Sequence, residues 1–108
     1  WRNRWEGTSP TVRLKPDDFP TFESLRTRWA EEEKLLMAFV EDVTEERLNS
    51  KFSYKATDGT PHERILWQAM AHLVNHGTQH KTEAAAMLTD FGQSPGDIDM
   101  IWYLIENQ

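Results

Sequence analysis

The feature that most constrains this chain is one unbroken helical pattern that carries His72, His76 and His80 at four-residue spacing. The run opens at Thr60-Pro61-His62-Glu63, a capping-box sequence with proline at the first helical position. It closes at Phe91-Gly92, where Gly92 suits a C-cap. The span predicts a helix of about 31 residues, roughly 45 Å long at 1.5 Å per residue. Gly77 is its one soft spot, costing about 1 kcal/mol relative to Ala, and it also permits close approach of a neighbouring helix.

Side chains four apart stack on one helical face, so two imidazoles of a His-x-x-x-His pair can reach the same ion. With His76 set at zero and about 100° per residue, His80 falls near +40° and His72 near −40°. Ile65, Ala69 and Met87 lie within about 20° of His76, and Leu73 and Phe91 lie near +60°. Arg64, Thr78, Thr82 and Thr89 occupy the other side. This pattern predicts that His76 and His80 project into the core from the middle of an apolar face. A buried, unpaired imidazole costs about 1–3 kcal/mol, so the pair needs hydrogen-bond partners or an ion. Glu83, near −20° by the same rotation, is placed to orient a histidine or to add a carboxylate ligand. Two readings stay open at this point, a metal site and a His-Glu hydrogen-bonded cluster without an ion. The outer two of the three rings are about 12 Å apart along the axis, so one ion does not easily take all three. His76 and His80 are the expected ligand pair, with His72 as a supporting residue, a pocket wall or packing. His62 is expected to be exposed in the first helical turn.

The rest of the chain is organised around shorter elements. Trp1-Arg-Asn-Arg-Trp5-Glu-Gly7 reads as the last turns of a helix closed by glycine, which suggests a chain that begins in mid-helix. Thr8 to Pro20 holds three of the five prolines and reads as a loop. Thr21 is a predicted N-cap for a helix from Phe22 to about Val43, with Leu25, Trp29, Leu36, Phe39, Val40 and Val43 on one stripe. Glu32 sits at the edge of that stripe, either as a surface acid with a buried stem or as a carboxylate reaching a metal. Thr44 opens a short helix. Phe52-Ser-Tyr54-Lys-Ala56 before Asp58-Gly59 predicts a short extended stretch and a turn, too little for a sheet protein. Ser94-Pro95-Gly96 is a turn, and Asp97 is the expected cap of a last helix through Ile98, Ile101, Trp102 and Leu104. Trp67, Met70 and Val74 form a second apolar patch, suited to another helix or to a dimer contact.

Composition narrows the chemistry. The 108 residues are one domain's worth, with no cysteine, so a metal site must use His, Asp or Glu and any thiol must come from a small molecule. A net charge of −6 argues against a general nucleic-acid binder or a surface that seeks anionic lipid. No apolar run approaches the roughly 20 residues that span a bilayer, and no signal peptide is visible, so the expectation is a cytoplasmic protein.

Leu73-Val-Asn-His76-Gly-Thr-Gln-His80-Lys, followed by Pro95-Gly-Asp97-Ile-Asp99 and Tyr103, resembles the C-terminal half of DinB-family proteins. Arg4-Trp5-Glu-Gly7 looks like the end of that family's second helix. The resemblance implies an all-α fold, a DinB-like four-helix bundle with a long crossover after the second helix. Residues 1–108 would be a single domain, lacking its first helix and most of its second. It implies a divalent ion such as zinc, nickel or iron on a histidine triad. His76 and His80 match the His-x-x-x-His pair, and the remaining histidine is expected upstream of Trp1. It implies a homodimer and, for some relatives, S-transfer between a small-molecule thiol and an electrophile. Others are known only as stress-response proteins, so a non-catalytic metal-binding bundle and a metal-free dimerising module are the alternatives. The chain departs from the family after His80. Lys81-Thr82-Glu83 stands where Arg-Gly-Gln is common, which puts an acid in place of an amide.

Overall fold

The computed structural model describes residues 1–107, which are mostly helical (61 % helix) with one small hairpin. The elements run α1 (Arg2–Trp5), α2 (Phe22–Asp42), α3 (Glu45–Asn49), β1 (Lys51–Lys55), β2 (Pro61–Ile65), α4 (Leu66–Asp90) and α5 (Met100–Glu106), with a 3-10 turn at Pro16–Asp18. The chain divides into two compact units, residues 1–71 and 72–108, and α4 contributes to both.

In the first unit, α1 ends as the sequence implies. Gly7 has φ +90, the Gly7 N–H reaches the Arg4 carbonyl and the Thr8 N–H reaches the Asn3 carbonyl. This is a Schellman closure, which needs a left-handed residue that glycine supplies without strain. Thr21 caps α2 by accepting from the Ser24 N–H, and Thr44 caps α3 by accepting from the Arg47 N–H.

The expected long helix from Pro61 is corrected. Residues Pro61–Ile65 form β2, antiparallel to β1, with Phe52 opposite Arg64 and Tyr54 opposite His62. The reason is non-local. Asp58-Gly59 reverses the chain, with Gly59 at φ +85 and the Asp58 carboxylate accepting from the Thr60 N–H. Tyr54 then stacks on His62 at 5.3 Å, and Lys51 pairs with Glu63 at 2.7 Å. Pro61, lacking an N–H, is tolerated as the first residue of a strand. His62 is therefore half-buried on a strand and not exposed on a helix. The Leu66 N–H donates to the Ser50 carbonyl at 3.0 Å, and α4 starts there.

The core of this unit is small. Trp5, Phe52, Leu66 and Ala69 are buried, and Trp5 packs on Phe39 with ring centroids 5.5 Å apart. An Arg47 guanidinium N–H donates to the Trp5 carbonyl at 2.9 Å, and the Lys55 N–H donates to Ser9 Oγ at 3.0 Å. The α2 stripe is present but only partly covered: Leu25, Trp29 and Val40 are exposed.

The second unit is the rest of α4, a turn and α5. Gly92 (φ +71) ends α4 in the same way as Gly7 ends α1, with Gly92 N–H to the Thr89 carbonyl and Gln93 N–H to the Leu88 carbonyl. The Lys81 ammonium donates to the Ile98 carbonyl at 2.9 Å, tying α4 to the segment before α5. The last helix starts at Met100 and not at Ile98. Asp97 serves the approach instead, accepting from the Asp99 N–H and the Trp102 indole N–H. No helix among the described residues is long and apolar enough to cross a membrane.

Candidate metal centre

His72, His76, His80 and Glu83 all lie on α4 within the second unit. Beginning the helix at Leu66 leaves their relative phase unchanged, so they share one face as their spacing requires. His72 stacks nearly parallel on His76, with centroids 5.5 Å apart and 12° between planes. His76 meets His80 edge to face at 4.5 Å and 75°. That turn of the ring brings the two Nε2 atoms to 3.2 Å.

On the other side of the His80 ring, Nδ1 lies 2.9 Å from Glu83 Oε2. The second carboxylate oxygen accepts from Gln79 Nε2 at 3.3 Å. The hydrogen bond from His80 holds the Glu83 carboxyl below its ordinary value, and the bond from Gln79 adds to this. An ionised carboxylate only accepts, so His80 Nδ1 carries the hydrogen and, in the neutral ring, Nε2 presents its lone pair. Without an ion, His76 Nε2–H donates to that lone pair. His76 and His80 would hold an ion through their Nε2 lone pairs, which would require His76 to carry its hydrogen on Nδ1.

The donor set fits such an ion. Two nitrogens held at about 2.0–2.1 Å by one tetrahedral ion lie roughly 3.3 Å apart. The His76–His80 separation is 3.2 Å, a distance that suits such a pair of ligands and equally an N–H···N hydrogen bond. Among the described residues, no group of three or more His, Asp or Glu side chains converges as a metal-binding cluster. Glu83 is turned to the far ring nitrogen of His80, in the place of an orienting group. Glu32 is engaged elsewhere: Arg2 donates to both its oxygens, at 2.8 and 3.2 Å, and Arg28 adds a third bond at 3.1 Å.

The burial expectation is corrected here. His76 is exposed, and the His80 and Glu83 side chains are 60 % and 53 % exposed. The apolar face is covered at Leu66 and Ala69 but open at Met87 and Phe91, which are 59 % and 84 % exposed. Desolvation therefore does not argue for an ion, and the case for one rests on the Nε2 geometry. Helical phase alone places Glu83 beside the histidines. The Gln79 contact is not among the sequence expectations, and its signal is the i,i+4 spacing of Gln79 and Glu83.

The sequence profile of the DinB family matches residues 1–108. The chain belongs to the DinB family. The match takes in the whole chain, including the α1 and hairpin segments that precede the histidine stripe. No curated protein and no solved structure matches it. A mostly helical architecture agrees with DinB membership, with the β1–β2 hairpin as an addition to the all-α expectation.

Proposed function

We propose that this DinB protein binds a divalent metal ion, such as zinc, nickel or iron, through His76 and His80. The observation that carries the reading is the 3.2 Å separation of the two Nε2 atoms with the far nitrogen of His80 anchored on Glu83. Carboxylate–histidine–metal arrangements use such an anchor to fix the ring. His72 supports the pair by stacking on His76 and is not itself a ligand.

The finer reading is an S-transferase that uses a low-molecular-weight thiol, within a cytoplasmic, homodimeric four-helix bundle. With two imidazole donors, a bound ion keeps open positions and supplies Lewis acidity that lowers the pKa of a thiol or of water. The chain has no cysteine, so the thiol is a small molecule. Exposed Met87 and Phe91 support a face of α4 that another element or a second copy covers. The solvent exposure of the histidine pair favours a second reading, non-catalytic metal binding.

The test is elemental analysis and zinc titration of the untagged chain. Wild type is expected to hold close to one equivalent. His76→Ala and His80→Ala should each lose tight binding, and His72→Ala should lose less. Affinity should fall as the pH is lowered, because protons compete for the imidazole nitrogens. A folded wild type that binds no zinc overturns the proposal in favour of a metal-free interaction module. A His72→Ala variant that is the most damaged of the three overturns the choice of pair. Thiol transfer that depends on the loaded pair separates the enzyme from the non-catalytic reading.

A further inference from the structure

We propose that Glu83 is the positioning residue of the histidine pair: by accepting the His80 Nδ1 hydrogen, it fixes the tautomer and ring orientation that turn the His80 Nε2 lone pair toward His76. This rests on the metal-binding reading above and extends it to the residue that prepares the site before any ion arrives.

Three observations converge on the role. Glu83 Oε2 is 2.9 Å from His80 Nδ1, and the opposite ring nitrogen is 3.2 Å from His76 Nε2. The carboxylate is itself held, since Gln79 Nε2 donates to its other oxygen at 3.3 Å. The three contacts are separated by four, three and four residues, so α4 presents them as one run along the helix: Gln79 to Glu83, Glu83 to His80, His80 to His76. Each partner restricts the rotamers of the next.

The choice of an acid has a chemical consequence. An amide at this position could accept through its oxygen or donate through its nitrogen, and so would tolerate either imidazole tautomer. A carboxylate only accepts, so it selects Nδ1–H and leaves Nε2 free of hydrogen. The free imidazole side chain prefers the other tautomer, which would block Nε2 as a ligand. Glu83 thus removes a tautomer shift and a ring rotation from the binding step. Its contact with Nδ1 also directs it away from the face that Nε2 presents, which makes it an orienting group and not a third ligand.

The experiment has two readouts. Long-range ¹H–¹⁵N spectra of the metal-free chain, taken where the ring is neutral, are expected to show His80 as Nδ1–H in wild type. They should shift toward Nε2–H in Glu83→Ala. Zinc titration should then show an affinity loss of about 10–100-fold in Glu83→Ala. Glu83→Gln, whose amide can accept from or donate to Nδ1, should recover only part of that loss and show both tautomers. Both substitutions are at an exposed helical position, and circular dichroism checks that α4 persists. If Glu83→Ala keeps the Nδ1–H tautomer, or binds zinc as tightly as wild type while His76→Ala and His80→Ala do not bind, the positioning role is overturned and metal binding stands. If Glu83→Gln holds His80 as Nδ1–H and binds zinc as tightly as wild type, an acceptor-only group is not what selects the tautomer, which also overturns it. If His76→Ala and His80→Ala bind zinc like wild type, the metal reading fails, and the tautomer spectrum still decides what Glu83 does.

Discussion

Residues 1–71 and residues 72–107 are held by different kinds of contact. Among the described residues, the buried side chains Trp5, Phe52, Leu66 and Ala69 all belong to the first region. It is closed by links between distant parts of the sequence: Arg2 with Glu32, Arg47 with the Trp5 carbonyl, Ser9 with Lys55, and the β1–β2 ladder. The second region holds His72, His76, His80 and Glu83, and its contacts are mainly those of a helix with itself at three- and four-residue spacing. The Lys81 bond to Ile98 is its longest-range polar contact among those described. Stability and candidate chemistry are therefore carried by different residues. A site built from one helix's own turns keeps its spacing as long as that helix persists, and its ring orientation rests on contacts such as that of His80 with Glu83.

The largest effect expected from this division is on stability. Leu66 is fully buried where α4 leaves the hairpin, so Leu66→Ala should cost about 2–5 kcal/mol through lost transfer energy and the cavity left behind. His76→Ala in the metal-free chain should cost less than about 0.5 kcal/mol, as expected of an exposed position away from any core. Urea denaturation followed by circular dichroism measures both. Similar losses in the two variants would break the division, because they would show that the second region also carries the fold.

The same division explains what the sequence made legible. Caps and C-caps at Gly7, Thr21, Thr44 and Gly92 are readable because each is decided within a few residues. So is the shared face of His76, His80 and Glu83, which depends only on helical phase. The hairpin is not. Thr60-Pro61-His62-Glu63 has the local marks of a helix start, and the strand wins through pairing with Lys51–Lys55, which local propensity does not contain. The expected burial of the histidines fails for a related reason. An apolar face states that something can cover it, and here the cover reaches Ala69 but not Met87.

A second prediction compares one substitution in the two regions. Gly92 and Gly59 both have positive φ, +71 and +85, with open space where an added methyl group would stand at each. The intrinsic cost of alanine is therefore similar, roughly 1 kcal/mol of backbone strain. In the first region that cost should lower global stability, since the Gly59 turn sets the β1–β2 register. In the second, Gly92→Ala should fray the end of α4, seen as faster amide exchange at Gly92 and Gln93 with little change in the urea midpoint. A Gly92→Ala variant that loses as much global stability as Gly59→Ala would show that the end of α4 unfolds together with the hairpin.

The smallest effect tests whether the long-range ion pair contributes to the first region at all. Glu32 takes two bonds from Arg2 and one from Arg28, and its side chain is 38 % exposed, so solvent screens the pair. Glu32→Gln should cost no more than about 1 kcal/mol at neutral pH. The hydrogen bond from Arg2 is the main reason that the carboxyl lies below its ordinary value of 4.5, partly opposed by desolvation. A depressed carboxyl stabilises the folded state above the unfolded value, and that contribution is lost as the pH falls through the lower folded value. The gap between wild type and Glu32→Gln should hence be constant near neutrality, narrow as the pH drops below 4.5, and shrink in high salt. A gap that persists unchanged in strong acid would mean that the substitution acts through packing of the Glu32 stem and not through its charge.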